Sequence, residues 1–188
     1  VHSFRVFPSV TTAAGFDSNV FNVDSTKSAD AYFAVESKIM ANSDWGRHQL
    51  DVGASARITR YASKARENNE EFGFSISGRL DVANKDAIFG RIDFRQQTES
   101  RGSGGQRLVG AEPSAFGELN AGLATRQTFG PVRLEVSASL ERRVFDPVRL
   151  ISGGQFDQSF RDSETIQIAP RLQFAVTPHA GIFLAATA

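Results

Sequence analysis

Residues 29–61 constrain the fold more than any other stretch, because two long runs of alternating residues face each other across a compact turn. In the first run Ala31, Phe33, Val35, Ser37, Ile39 and Ala41 share one face, and Asp30, Tyr32, Ala34, Glu36, Lys38 and Met40 share the other. In the second run His48, Leu50, Val52, Ala54, Ala56 and Ile58 make the apolar face, opposite Gln49, Asp51, Gly53, Ser55, Arg57 and Thr59. A period of two puts successive side chains on opposite faces of a strand, so the stretch predicts a hairpin with one apolar and one polar face. Its arms are about twice the usual length. Strands in soluble domains have a mode of about 5–6 residues, whereas a tilted strand crossing a bilayer needs about 9–11.

The alternation recurs along the whole chain. Residues 4–16 form a first run, in which Pro8, lacking an N–H for a ladder, belongs near a strand start, bulge or edge. Further runs cover residues 70–82, 87–97, 115–127, 133–145 and 163–176, and residues 181–188 open a ninth. The connections alternate in length: stretches 17–28, 62–69, 98–114 and 146–161 are long and polar, while Ser43-Asp44-Trp45-Gly46, Asn84-Lys85-Asp86, Phe129-Gly130-Pro131 and Thr177-Pro178-His179 are short turns. This predicts an all-β, antiparallel up-and-down meander with two unlike ends. Bacterial outer-membrane barrels have that asymmetry, with short periplasmic turns and longer external loops.

Alternation alone suits a soluble sandwich equally well. Strand length, loop asymmetry and the sorting of aromatics by height favour a transmembrane β-barrel. Phe4, Trp45, Phe129 and Phe174 lie near the short-turn end, and Phe16, Phe33, Phe72, Phe74 and Phe94 toward the other, as interfacial girdles would. No apolar stretch approaches the roughly 18 residues of a transmembrane helix. The 21 basic and 21 acidic residues cancel, so nothing points to nucleic acid. Cysteine is absent, which excludes a disulfide framework and a thiolate metal site. Residues 1–188 read as a single barrel domain. Because single-chain bacterial barrels have even strand numbers, nine strands imply an N-terminal portion of a larger barrel of about 14–18 strands, wide enough for an aqueous channel.

On the polar faces, unlike charges directly opposed across an antiparallel pair stabilise by roughly 0.2–1 kcal/mol, which offers a guide to register. A four-residue loop at 43–46 sets Lys38 opposite Asp51. A five-residue connection at 84–88 sets Asp81 opposite Arg91 and Arg79 opposite Asp93. A loop at 129–132 sets Arg126 opposite Glu135 and Glu118 opposite Arg143. With Arg57, Arg95, Arg133 and Arg171, these residues are expected to line a lumen.

Other chemistry finds little support. His2, His48 and His179 sit on separated strands or turns, too far apart at about 4.8 Å per strand to converge on a metal. The polar-face serines lie at mid-height, away from these histidines, so no Ser-His-acid triad assembles and no catalytic role is expected. Gly102-Ser103-Gly104-Gly105 and Gly153-Gly154 precede no helix, so they read as flexible loops rather than phosphate cradles. Asp17, Asn19, Asp24 and Asp30 fit no EF-hand spacing and read as a solvated loop. No cofactor is implied.

The run Gly15-Phe16-Asp17-Ser18-Asn19-Val20-Phe21 resembles the aromatic-Asp-x-Asn-Val-Phe signature of the beta-barrel porin 2 family, and Ser43-Asp44-Trp45-Gly46-Arg47-His48 and Arg60-Tyr61 look similar to its members. The motif likeness covers about the first 80 residues; Phe16 and Ser18 stand where Tyr and an acid are usual. The resemblance implies an outer-membrane barrel of a Gram-negative bacterium, its partners the lipid bilayer, surface polysaccharide or small solutes, and other envelope proteins. Two functions follow as expectations: a channel for polysaccharide export or passive solute passage, or a non-conducting platform or adhesin whose long loops bind a partner.

Overall fold

The computed structural model describes residues 3–24, 26–101, 112–177 and 180–188. Among the described residues nine long strands form one antiparallel sheet in which each pairs with the long strands next to it in the chain. They are β1 (Phe4–Asp17), β2 (Asp30–Ser43), β3 (Gln49–Tyr61), β4 (Asn69–Asp81), β5 (Ala87–Thr98), β6 (Ala115–Phe129), β7 (Val132–Phe145), β10 (Ser163–Thr177) and β11 (Ala180–Ala185). Two more, β8 (Val148–Arg149) and β9 (Gln155–Phe156), make a small hairpin inside the connection from β7 to β10. The sheet is open: β1 and β11 are its edges. No α-helix occurs among the described residues, so no helix is long and apolar enough to cross a membrane, which says nothing of crossing by strands.

Among the described residues there is no second layer. Among the apolar side chains of the described residues only Val20, Ala34, Ala87 and Val148 are buried, whereas Val10, Phe16, Phe33, Ile39, Leu123 and Ile166 are exposed although they sit inside long strands. Following the pairings, Val10, Val35, Val52, Ile76, Ile92, Ala121, Leu140 and Ile168 all fall on one face. That face carries charge only near the long loops, and there as neutral pairs: Arg60 with Glu70, and Arg142 with Glu164 at 3.9 Å. Contiguous apolar surface on this scale exceeds what a monomeric soluble protein exposes.

The strands are staggered. A walk along directly opposed residues from Val10 passes Ser37, Ala56, Phe72, Gln96 and Gly117 to reach Val144. It starts midway along β1 and ends one residue short of the loop end of β7. Both strands run from short turn to long loop, so the sheet slips by about one residue, ~3.4 Å, per strand spacing of ~4.8 Å. If the two ends are level, the strands tilt by about 35°, at the edge of the 35–45° of outer-membrane barrels.

Two of the three expected registers are wrong, each by four residues. Lys38 faces Ser55, and Asp51 faces Asn42; Asp81 faces Ala87, Arg79 faces Phe89, and Arg91 and Asp93 face Ser77 and Ser75. In the first hairpin the connection is longer than the sequence suggested, because His48 has φ 65° and leaves the ladder. Its N–H donates to Asp81 Oδ2 at 2.9 Å, its Nδ1 accepts the Asp81 N–H at 3.0 Å, and Ser43 Oγ accepts the Leu50 N–H at 2.8 Å. His48 is therefore a turn residue tied to β4 rather than the start of an apolar strand face. In the β4–β5 hairpin the turn closes sooner, since the Asp86 carbonyl accepts the N–H groups of Val82 and Ala83 at 2.9 and 3.3 Å. The third register holds: Arg126 faces Glu135 and Glu118 faces Arg143. A four-residue slip is even, so it leaves every side chain on its face.

Candidate functional site

The polar face is the candidate site. Every charged residue expected to line a lumen lies on it: Lys38, Asp51, Arg57, Arg79, Asp81, Arg91, Asp93, Arg95, Glu118, Arg126, Arg133, Glu135, Arg143 and Arg171. Two shallow hollows of about 430 and 420 Å³ run across its middle, floored by small residues such as Ser77, Gly122, Ser137 and Ser139 and edged by Arg79, Arg91, Asp93 and Arg95. The pairing of charges differs from the expectation. Arg126 Nε meets Glu135 at 2.8 Å and Arg143 meets Glu118 at 2.8 Å across β6 and β7. Glu36 is reached from two sides, by Lys38 on its own strand at 2.5 Å and by Arg57, directly opposed on β3, at 3.9 Å, while Arg79 with Asp81 at 3.0 Å and Arg91 with Asp93 pair along a single strand, two residues apart on one face. Asp51 instead accepts from the amides of Asn42 and Gln49 at 2.8 and 2.6 Å.

Parity also puts Glu36, Glu71 and Glu141 on this face, a signal available in the sequence that the register argument passed over. Tyr32 and Tyr61 lie here too, their rings 5.8 Å apart, with Tyr32 over Gly15, where a Cβ would come within 2.6 Å of the ring.

At the long-loop end the connections are joined by side chains that carry no periodic signal. Arg101, after β5, forks onto Glu67 of the β3–β4 connection at 2.6 and 2.9 Å, and its carbonyl accepts from Asn22 of the β1–β2 connection at 3.1 Å. Glu67 is 3 % exposed. Arg161, between β9 and β10, forks onto Glu99 at 2.7 and 3.0 Å and stacks on Phe145, 3.9 Å from its centroid. Beside it Gln158, 2 % exposed, donates to the Asp146 carbonyl at 2.8 Å and accepts from Ser114 Oγ at 3.3 Å. Ser159 donates its N–H and its hydroxyl to Asp157, which holds that carboxyl below the usual carboxylate range.

This layer corrects two expectations about loops. Asp30 is buried, its carboxylate accepting the N–H groups of Ser63 and Lys64 at 2.9 and 2.8 Å, and Asp17 accepts the Asn19 N–H at 2.8 Å. Those oxygens brace backbone rather than sit in a solvated loop. Gly153 and Gly154, with φ of 89° and 81°, form the turn of the β8–β9 hairpin rather than part of a flexible loop. His2, His179 and residues 102–105 lie outside the described residues. Among the described residues no group of three His, Cys, Asp or Glu could hold a metal ion.

The family model described as Putative beta-barrel porin 2 matches residues 1–188. The chain belongs to that family. The porin family's name points to an outer-membrane barrel, in keeping with one long-stranded sheet that has an apolar and a polar face. No curated protein and no solved structure gives a significant match.

Proposed function

We propose that this sheet is wall of an outer-membrane β-barrel, with its apolar face against lipid and its polar face lining an aqueous passage. The observation that carries the reading is the uncovered apolar face. Aromatic Phe4, Phe129 and Phe174 stand at its short-turn end and Phe16, Phe33 and Phe72 toward the long loops, with Val10, Ile39, Val52, Ile76 and Leu123 between. Outer-membrane barrels carry an apolar band about 25 Å tall between aromatic girdles, and the stagger of the strands supports the tilt such a wall needs. In this reading the long loops are external and the short turns periplasmic. The residues named for the polar face bind water and passing solutes, and no catalytic step is assigned to them.

Charges of both signs within ion-pair distance suit small neutral or zwitterionic solutes or a glycan better than a strongly selective ion pore. Surface polysaccharide is the solute class suggested by family resemblance. A second reading, a non-conducting platform presenting its loops to a partner, draws support from the buried ties among the loops. Detergent-extracted full-length protein should shift its gel mobility on boiling and give discrete conductance in planar bilayers. Arg91→Glu should change the conductance or its ion preference. Solubility without detergent and unchanged mobility would defeat the membrane wall; a folded, membrane-inserted protein without conductance would leave the platform.

A further inference from the structure

The polar face is neutral in sum but not along its length. When each long strand is divided at its midpoint, the half nearer the short turns carries Arg5, Lys38, Arg79 and Arg91 on β1, β2, β4 and β5. Arg126, Arg133 and Arg171 on β6, β7 and β10 complete the set. Against these seven bases stand three acids, Asp51, Asp81 and Glu135. The half nearer the long loops reverses the balance. Its three bases are Arg57, Arg95 and Arg143; its seven acids are Asp17, Asp30, Glu36 and Glu71 on β1, β2 and β4, with Asp93, Glu118 and Glu141 on β5, β6 and β7.

Local pairing does not erase this polarity. The pairs Lys38–Glu36 and Arg91–Asp93 straddle the midpoint with the base toward the short turns. Arg133 and Arg171 are exposed and have no carboxylate within ion-pair distance among the described residues; Arg171 stacks on Phe183, 4.4 Å from its centroid. In the other half Arg143 is shared between Glu118 at 2.8 Å and Glu141 at 3.6 Å, which leaves an acid in excess. Half a strand of these lengths is about seven residues, so the centres of the two halves lie about 20 Å apart after tilt. Screening acts over only about 8 Å at physiological salt, so each half presents its own potential to mobile ions.

We infer that the wall is charged as an axial dipole, basic toward the short turns and acidic toward the long loops, and that the passage it lines therefore rectifies the flow of small inorganic ions. This rests on the channel reading above. The acidic half admits cations and the basic half admits anions. When the compartment at the long-loop end is positive, both are driven toward the middle of the wall and accumulate there, so conductance rises; at the opposite polarity the middle is depleted.

Single-channel recording of the full-length protein in about 0.1 M potassium chloride should show conductance roughly twofold larger with the long-loop side positive, and the ratio should fall toward one at about 1 M, where the screening length is about 3 Å. In Arg133→Glu/Arg171→Glu, which brings the short-turn half to balance and leaves the other half acidic, the asymmetry at low salt should fall toward what the acidic half gives alone; Arg133→Gln/Arg171→Gln should reduce it by less. Open channels with a symmetric response at low salt, or asymmetry indifferent to salt and to both variants, would overturn the axial dipole and leave the channel standing. Absence of any conductance would overturn the channel reading and this inference with it.

Discussion

Ion pairs at the two levels of this sheet use the same chemistry to different ends. At the long-loop end Arg101 and Glu67 are 13 % and 3 % exposed and join connections that are otherwise far apart in sequence; on the wall Arg126 and Glu135 are 42 % and 35 % exposed and join neighbouring strands already held by a backbone ladder. The difference is one of desolvation. Breaking a buried pair by removing one partner leaves an uncompensated charge and costs about 3–5 kcal/mol, while an exposed pair is worth about 0–1 kcal/mol. The loop layer thus depends on its charges, and the wall does not.

The largest expected effect is therefore at the loops. Arg101→Ala strands the Glu67 carboxylate while keeping the backbone carbonyl that accepts from Asn22, so stability in lipid vesicles should fall by about 3–5 kcal/mol, or the loops should open and become sensitive to protease while the strands stay folded. Guanidinium titration and limited proteolysis separate these two forms of the same loss. A variant as stable and as protease-resistant as the parent would place the loop ties on a level with wall pairs.

A smaller effect belongs to the short-turn end, where backbone conformation rather than charge fixes the chain. Gly130 opens the two-residue turn before Pro131 with φ 59°, and a Cβ there would meet nothing within 4 Å. Gly130→Ala should then cost only the left-handed backbone penalty, about 1–2 kcal/mol, read in the same titration. A neutral substitution would mean that this turn does not hold its φ.

That turn also explains which part of the fold was legible in the sequence. Strands, faces and the alternation of long and short connections follow from a period of two and the positions of Gly, Pro, Asn and Asp, and the structure repeats them. Register was legible only at β6–β7. There a two-residue loop leaves one pairing, and the acids and bases it matches stand on different strands. At β2–β3 and β4–β5 the bases Lys38, Arg79 and Arg91 are satisfied by Glu36, Asp81 and Asp93 two residues away on the same strand face, so these bases did not fix the pairing; the charges that oppose each other across β2–β3 are Glu36 and Arg57, 3.9 Å apart. His48 in a left-handed conformation lengthened one turn, and Asp86 shortened the other. The ties Arg101–Glu67 and Arg161–Glu99 were invisible because loop contacts between residues 34 and 62 positions apart have no periodicity.

The smallest effect is the sharpest test of the comparison. Arg126 and Glu135 face each other at 2.8 Å with good geometry, and Arg126 also lies 5.0 Å from the centroid of the Phe89 ring. If exposure decides, a double-mutant cycle of Arg126→Ala and Glu135→Ala should give a coupling below about 1 kcal/mol that shrinks with added salt. The ring contact would appear as a loss in Arg126→Ala that persists when Glu135 is already alanine, of roughly 0.5–1 kcal/mol. A coupling of several kcal/mol would instead mean that the wall around this pair is drier than its exposure indicates, and that wall and loop charges stabilise the sheet in the same way.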